Sequence, residues 1–167
     1  CDIDKKTFNI DVSKIEKLIT KKTKAIVPVH LYGVPAQMDK IMKIAKKFNL
    51  KVIEDTCQSP GSKFKNKYVG TIGHLGTFST VETKNISTGE GGVIVGNDKS
   101  LIHKCRLIRN HGEAYLLGKK RSYLPNMLGY NLRPTEFQAT IGENQLSKLN
   151  NFNNIRNKLS NYLIKNL

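Results

Sequence analysis

The sequence predicts an α/β fold: a mostly parallel sheet with flanking helices. Three observations carry this. Ala25 to Val29, Lys51 to Asp55 and Leu75 to Val81 are short apolar-rich runs that read as strands, with helix-period segments among them. The first two strands flank an amphipathic helix. Such a βαβ unit has parallel strands and a right-handed crossover. The later strands also end in residues that carry chemistry: Glu54-Asp55, then Ser79 with Lys84 just beyond. Open α/β sheets bind ligands at that end.

In chain order, Thr7 to Asp11 leads into a helix with Val12, Ile15, Leu18 and Ile19 on one apolar face. Pro28, which cannot donate to a ladder, would ordinarily mark the Ala25–Val29 strand as an edge. Gly33-Val34-Pro35 opens the second helix, with proline at an early position. Met38, Ile41, Met42, Ala45 and Phe48 form its apolar stripe, a core face rather than a cofactor box. Asn49 stops it. The strand Lys51 to Asp55 follows and ends in two carboxylates.

Gly61 to Gly73 reads as a loop holding a short hairpin around Asn66-Lys67. After the strand Leu75 to Val81 and Lys84, Gly89 turns the chain and Gly91 to Val95 returns as a partner strand. A strand rather than a helix follows these glycines, which excludes a GxGxxG dinucleotide fingerprint. Asp98 caps a helix running to Asn110, with Leu101, Ile102, Cys105 and Ile108 inward. Gly112 to Gly129 is a long basic loop. Arg133-Pro134 opens a helix through about Leu149. Phe137 and Ile141 lie on one face, and Ala139, Gly142 and Leu146 on another, as expected for burial on two sides at a subunit interface. Asn151 to Leu167 is a further, polar helix.

The motifs resemble those of the fold-type I pyridoxal phosphate enzymes, in particular the DegT/StrS sugar aminotransferases. Glu54-Asp55 with Gln58 resembles the family's Glu-Asp-Ala-Ala-Gln run. Phe78-Ser79 with Thr83-Lys84 resembles its Phe-Ser and Lys segment, and Thr88-Gly89-Glu90-Gly91-Gly92 the turn after the lysine. Val29-His30-Leu31-Tyr32-Gly33, Asn110-His111-Gly112 and Gly129-Tyr130-Asn131-Leu132-Arg133 resemble further signatures. The resemblance covers essentially the whole chain, in order. One position departs: Gly73-His74 stands where the family usually has Gly-Asp.

The resemblance implies the large domain of an aspartate aminotransferase-like transferase that binds pyridoxal 5'-phosphate. Lys84 would form the covalent link to the cofactor and then act as general acid-base. Asp55 would pair with the pyridine nitrogen, Gln58 would contact the phenolic oxygen, and Ser79 would donate to the phosphate. Asn131 would reach the phosphate of the neighbouring subunit, making the partner a second copy with a shared site. Read alone, each residue has a plainer role. Lys84 is a surface charge, Asp55 a cap or loop residue, Ser79 a solvent-facing strand position, and Asn131 a helix-start residue. The joint pattern carries the reading.

The reaction implied is amino transfer, with glutamate as donor, to a keto group on a nucleotide-activated sugar in polysaccharide or glycan precursor synthesis. Relatives that replace the lysine by histidine act as sugar dehydratases, and Lys84 argues against that alternative. Family members are about twice this length or more. The fold is therefore expected to be incomplete at both ends: residues 1–149 belong to the cofactor-binding domain, and residues 150–167 lead towards an absent small domain. These residues by themselves are expected to be inactive.

Composition bounds the alternatives. The 167 residues suffice for one domain with a core. No apolar run approaches the ~20 residues that span a bilayer, so no membrane partner is expected. Cys1, Cys57 and Cys105 are odd in number without framework spacing, which favours a reducing, cytoplasmic setting. His30, His74, His103 and His111 lack helical ligand spacing, so no metal is expected. The net charge of +15 raises a basic nucleic-acid-binding domain as the other alternative. The lysines are dispersed and no nucleic-acid motif accompanies them, so no nucleic-acid partner is expected. A basic surface also attracts a sugar nucleotide's pyrophosphate.

Overall fold

The structure is a computed structural model that describes residues 1–114, 125 and 127–167. The middle of the expected basic loop, including Lys119-Lys120-Arg121, lies outside the described residues. A four-stranded sheet forms from β1 (Ala25–Ile26), β2 (Lys51–Asp55), β5 (Leu75–Ser79) and β6 (Gly92–Gly96), in the order β1-β2-β5-β6. The β1–β2 and β2–β5 pairs are parallel, and β5–β6 is antiparallel. A separate antiparallel hairpin joins β3 (Lys63–Phe64) and β4 (Lys67–Tyr68). Its two-residue turn, Lys65-Asn66, has φ of 46° and 66°. Two successive left-handed residues match the right-handed twist of the flanking strands.

β1 is shorter than its apolar run and lies at the sheet edge, as Pro28 requires. Beyond Ile26 only the Val29–Asp55 bridge continues the pairing. There the Asp55 amide donates to Pro28 O and the His30 amide to Asp55 O, each at 2.9 Å.

The core lies where α1 (Val12–Leu18) and α2 (Met38–Lys47) cover one face of the sheet. Ile15, Ile26, Met38, Ile41, Ile44, Ala45, Leu50 and Val52 are buried together. Ile19 packs against this cluster, but Leu18 is 56% exposed because α1 ends there. α2 starts at Met38, later than Gly33-Val34-Pro35 suggests. Leu31–Gly33 forms a 3-10 turn with Tyr32 at φ 51°. The His30 ring then takes the Ala36 amide at 3.0 Å, which holds the chain out of the helix until Gln37. Asn49, at φ 52°, ends α2 in the left-handed region that asparagine tolerates.

α3 (Lys99–Arg109) packs on β6, capped by Asp98, whose side chain accepts from the Ser100 and Leu101 amides. The two helices expected after Arg133 are one. α4 runs unbroken from Glu136 to Asn166. Its cap is Thr135, not Arg133-Pro134, and Thr135 with Gln138 completes a reciprocal capping box. None of its described residues is buried, and Phe137, Leu146 and Tyr162 are largely exposed.

Candidate active site

Alternation along β2 separates its two carboxylates. Val52 and Glu54 are fully buried on the α2 side, whereas Ile53 and Asp55 are half-buried on the other. Asp55 pairs with Thr77 in the parallel β2–β5 register, and Ser79, two residues on, shares that face. The open face at the carboxyl ends of β2 and β5 therefore carries one carboxylate, not the pair that the Glu54-Asp55 sequence suggests.

Glu54 is spent inside. Its Oε2 accepts from His30 Nε2 at 3.0 Å and from the Gly70 amide at 2.9 Å. Its Oε1 accepts from the Ile72 and Gly73 amides at 2.7 and 2.6 Å. Burial alone pushes this carboxyl up; the His30 bond and the Gly73, Gly70 and Ile72 amides outweigh it and hold the group below its ordinary 4.5. Glu54 thus ties the turn entering β5 to β2. His74 adds a second tie: its amide donates to Val52 O at 2.8 Å, and its Nδ1 accepts from the Val52 amide at 3.0 Å. At this departure from Gly-Asp, the ring nitrogen is the acceptor for the Val52 amide.

Beyond the sheet edge, Asp55 Oδ1 accepts from the Cys57 amide at 3.1 Å. Burial, then the Asp55 bond, push the Cys57 thiol up, and the nearby Lys84 charge opposes them. Asp55, Cys57, Thr77 and Lys84 are therefore one electrostatic cluster. Lys84 is half-buried, and its amide donates to Val81 O at 3.0 Å. Among the described residues no carboxylate forms an ion pair with it.

Gln58 Oε1 accepts from the Tyr32 amide at 3.1 Å, holding the 3-10 turn and leaving its Nε2 as a donor. Ser79 Oγ accepts from the Val81 amide at 3.3 Å, leaving its hydroxyl proton to donate. Asn131 lies elsewhere. It bridges to Asn110 past the end of α3, and among the described residues shares no hydrogen bond with Asp55, Gln58, Ser79 or Lys84.

The sequence matches the DegT/DnrJ/EryC1/StrS aminotransferase family over residues 1–167. The chain belongs to this family. Among DegT/DnrJ/EryC1/StrS relatives, the GDP-perosamine synthase of Escherichia coli O157:H7 is 44% identical over 166 residues, 99% of this chain and 44% of that protein. The structure of E. coli GDP-4-keto-6-deoxy-D-mannose-3-dehydratase with bound hydrated PLP superposes with a TM-score of 0.89 at 38% identity, covering 98% of this chain and 46% of that one. PseC of Helicobacter pylori, an aminotransferase involved in the biosynthesis of pseudoaminic acid, gives 0.82 at 35%, covering 89% and 39%. The chain thus has the α/β fold of the pyridoxal phosphate-dependent aminotransferases and spans less than half of the curated relatives it matches.

Several positions in this family member escaped the sequence reading. The Thr135–Gln138 capping box was visible as Thr-x-x-Gln. Asn153, which bonds two loops at once, had no signal, because it sits in a helix already rich in asparagine.

Proposed function

We propose that the full-length protein containing these residues is a pyridoxal phosphate-dependent aminotransferase. It moves an amino group from glutamate to the keto group of a nucleotide-activated sugar, for polysaccharide or glycan precursors. The observation that carries this is that Asp55, at the carboxyl end of β2, and Lys84, in the loop after β5, both act on the Cys57 thiol between them in the chain. When bound, the cofactor supplies an aldehyde and an electron-withdrawing ring.

The donor set fits that group. Lys84 Nζ would be the amine that holds the cofactor, and once free it would be the base for the proton on the donor's Cα. The Asp55 carboxylate would pair with the pyridine nitrogen and hold its proton. Gln58 has its acceptor occupied by Tyr32 and its amide donor left for the phenolic oxygen. Ser79 has a hydroxyl proton left for the phosphate.

Residues 1–149 form part of the cofactor-binding domain; α4 runs unbroken past residue 149, and Asn153 still bonds to its loops. The exposed apolar residues of α4 support a homodimer, in which Asn131 serves the neighbour's site. The free cysteines fit a cytoplasmic enzyme. Among the described residues no helix is long and apolar enough to cross a membrane.

Dehydratase relatives match nearly as well as the synthases, so overall identity does not separate the two activities. Lys84 favours amino transfer, as the histidine in dehydratases marks the other reaction. Borohydride fixation of the cofactor in the full-length protein, with peptide mapping, tests the assignment. The label is expected on Lys84, and glutamate is expected to aminate a GDP-linked keto sugar. A label on another lysine, or deoxygenation without amine product, overturns the reading.

A further inference from the structure

Asn153 lies half-buried on α4 and uses both ends of its amide. Its Oδ1 accepts from Asn85 Nδ2 at 2.8 Å, and its Nδ2 donates to Pro60 O at 2.9 Å. Asn85 adjoins Lys84. Pro60 closes the segment after β2, which carries Gln58 and follows directly on Asp55. One side chain therefore joins the loop that bears Lys84 to the loop that bears Gln58 and leaves β2 at Asp55, 68 and 93 residues away in sequence.

The approach is close. Gly61 sits at φ +86°, which favours glycine, and a Cβ there would come within 2.7 Å of Asn153 Nδ2 and push the amide aside. A second tie acts farther along the same loop: Gln138 Nε2 donates to Glu90 O at 3.0 Å, and Gly142 admits Thr88 against the helix. The helix is the rigid member, and the segment from Lys84 to Glu90 hangs from it at both ends.

We propose that Asn153 is a positioning residue that sets the Lys84 amine relative to Asp55 by tying Asn85 to the loop after β2. The requirement for asparagine follows from the bonds. Aspartate keeps the acceptor for Asn85 but turns a carboxylate towards Pro60 O. Leucine fills the space and does neither. The inference rests on the reading of Lys84 as the attachment residue.

Its test uses the full-length protein in two states. Without cofactor, amide hydrogen exchange is followed over residues 84–91. With pyridoxal phosphate at fixed concentration, the rate of borohydride-trappable attachment to Lys84 is followed by peptide mass, and kcat and KM for the amino donor are measured. Asn153→Leu is expected to speed exchange in 84–91 and slow attachment, each about tenfold, the worth of two neutral hydrogen bonds. kcat should fall more than KM rises. Asn153→Asp should lie between Leu and wild type. Asn85→Ala should slow attachment, and combining it with Asn153→Leu should cost no more than Asn153→Leu alone, since both cut the same tie.

Unchanged exchange, or unchanged attachment in the folded Asn153→Leu protein, overturns the proposal. If that variant fails to fold, Asn85→Ala decides: wild-type attachment there overturns it equally. A wild-type label on another lysine defeats the reading of Lys84, while the exchange measurement still judges the tie itself.

Discussion

His30 Nε2 donates to Glu54 Oε2 at 3.0 Å, and both side chains are fully buried. The Ala36 amide occupies Nδ1 of the ring, so the ring proton sits on Nε2 and points at the carboxylate. The pair joins the start of α2, the middle of β2 and the Gly70–Gly73 turn. Glu54→Gln puts an amide against donors that need acceptors. We expect a loss of about 3 kcal/mol at neutral pH by denaturant unfolding. The folded carboxyl lies below its ordinary 4.5. Its contribution is therefore complete above that value and is lost as pH falls through the lower folded value. The gap between wild type and Glu54→Gln should narrow below about pH 4.5. A gap that persists or widens in acid would show that the charge is not what stabilises.

His74 offers a milder case. His74→Leu orphans the amide of Val52, which is fully buried. The expected cost is about 2 kcal/mol in thermal or denaturant unfolding. His74→Asp keeps an acceptor and should stay close to wild type. Equal losses for Leu and Asp would mean that ring packing, rather than the hydrogen bond, is what matters.

Gly76 lies in β5 against the backbone of Gly70, and a Cβ built at 76 collides with Gly70 O. Backbone cannot yield as a flexible side chain does. Gly76→Ala should cost at least about 3 kcal/mol and loosen the turn that feeds Glu54. A well-folded Gly76→Ala protein with normal stability would contradict this packing.

Asp55→Asn should separate chemistry from binding. An amide cannot hold the pyridine nitrogen in its charged form, whereas Lys84 and the phosphate donors still retain the cofactor. A fall in kcat on the order of a hundredfold is expected, with bound cofactor near stoichiometric. Near-normal turnover would assign Asp55 a purely structural role, through its bond to the Cys57 amide.

The central sheet was legible because its signals are local. The apolar runs mark β2 and β5, although the second reaches Val81 and β5 stops at Ser79; Asn66, in the Lys65-Asn66 turn one residue before the expected place, and Asn49 are turn and stop residues by type. Lys84 and Asp55 stand out only through the motif resemblance, since a single lysine among 28 basic residues carries no signal of its own. Burial of Glu54 on the opposite face was hidden in plain alternation, since a Glu-Asp pair reads as two site carboxylates until one side of the strand is known to be packed. The late start of α2 was missed because the His30 side chain, not the backbone, takes the Ala36 amide. The single long α4 was missed because Asn150 and Asn151 resemble a stop, and nothing local reveals that helical pairing runs through them.

That helix has a mechanical consequence. Thirty-one residues at 1.5 Å each make a rod of roughly 46 Å. Its ties to the rest of the described chain, from Gln138 to Asn153, lie in its first two-thirds. The last turns, from Asn153 to Asn166, extend roughly 20 Å past the last tie, and Lys84's loop is bonded to the part before it. Because α4 is one unbroken helix, a tilt of its far end would be passed to the segment that bears Lys84.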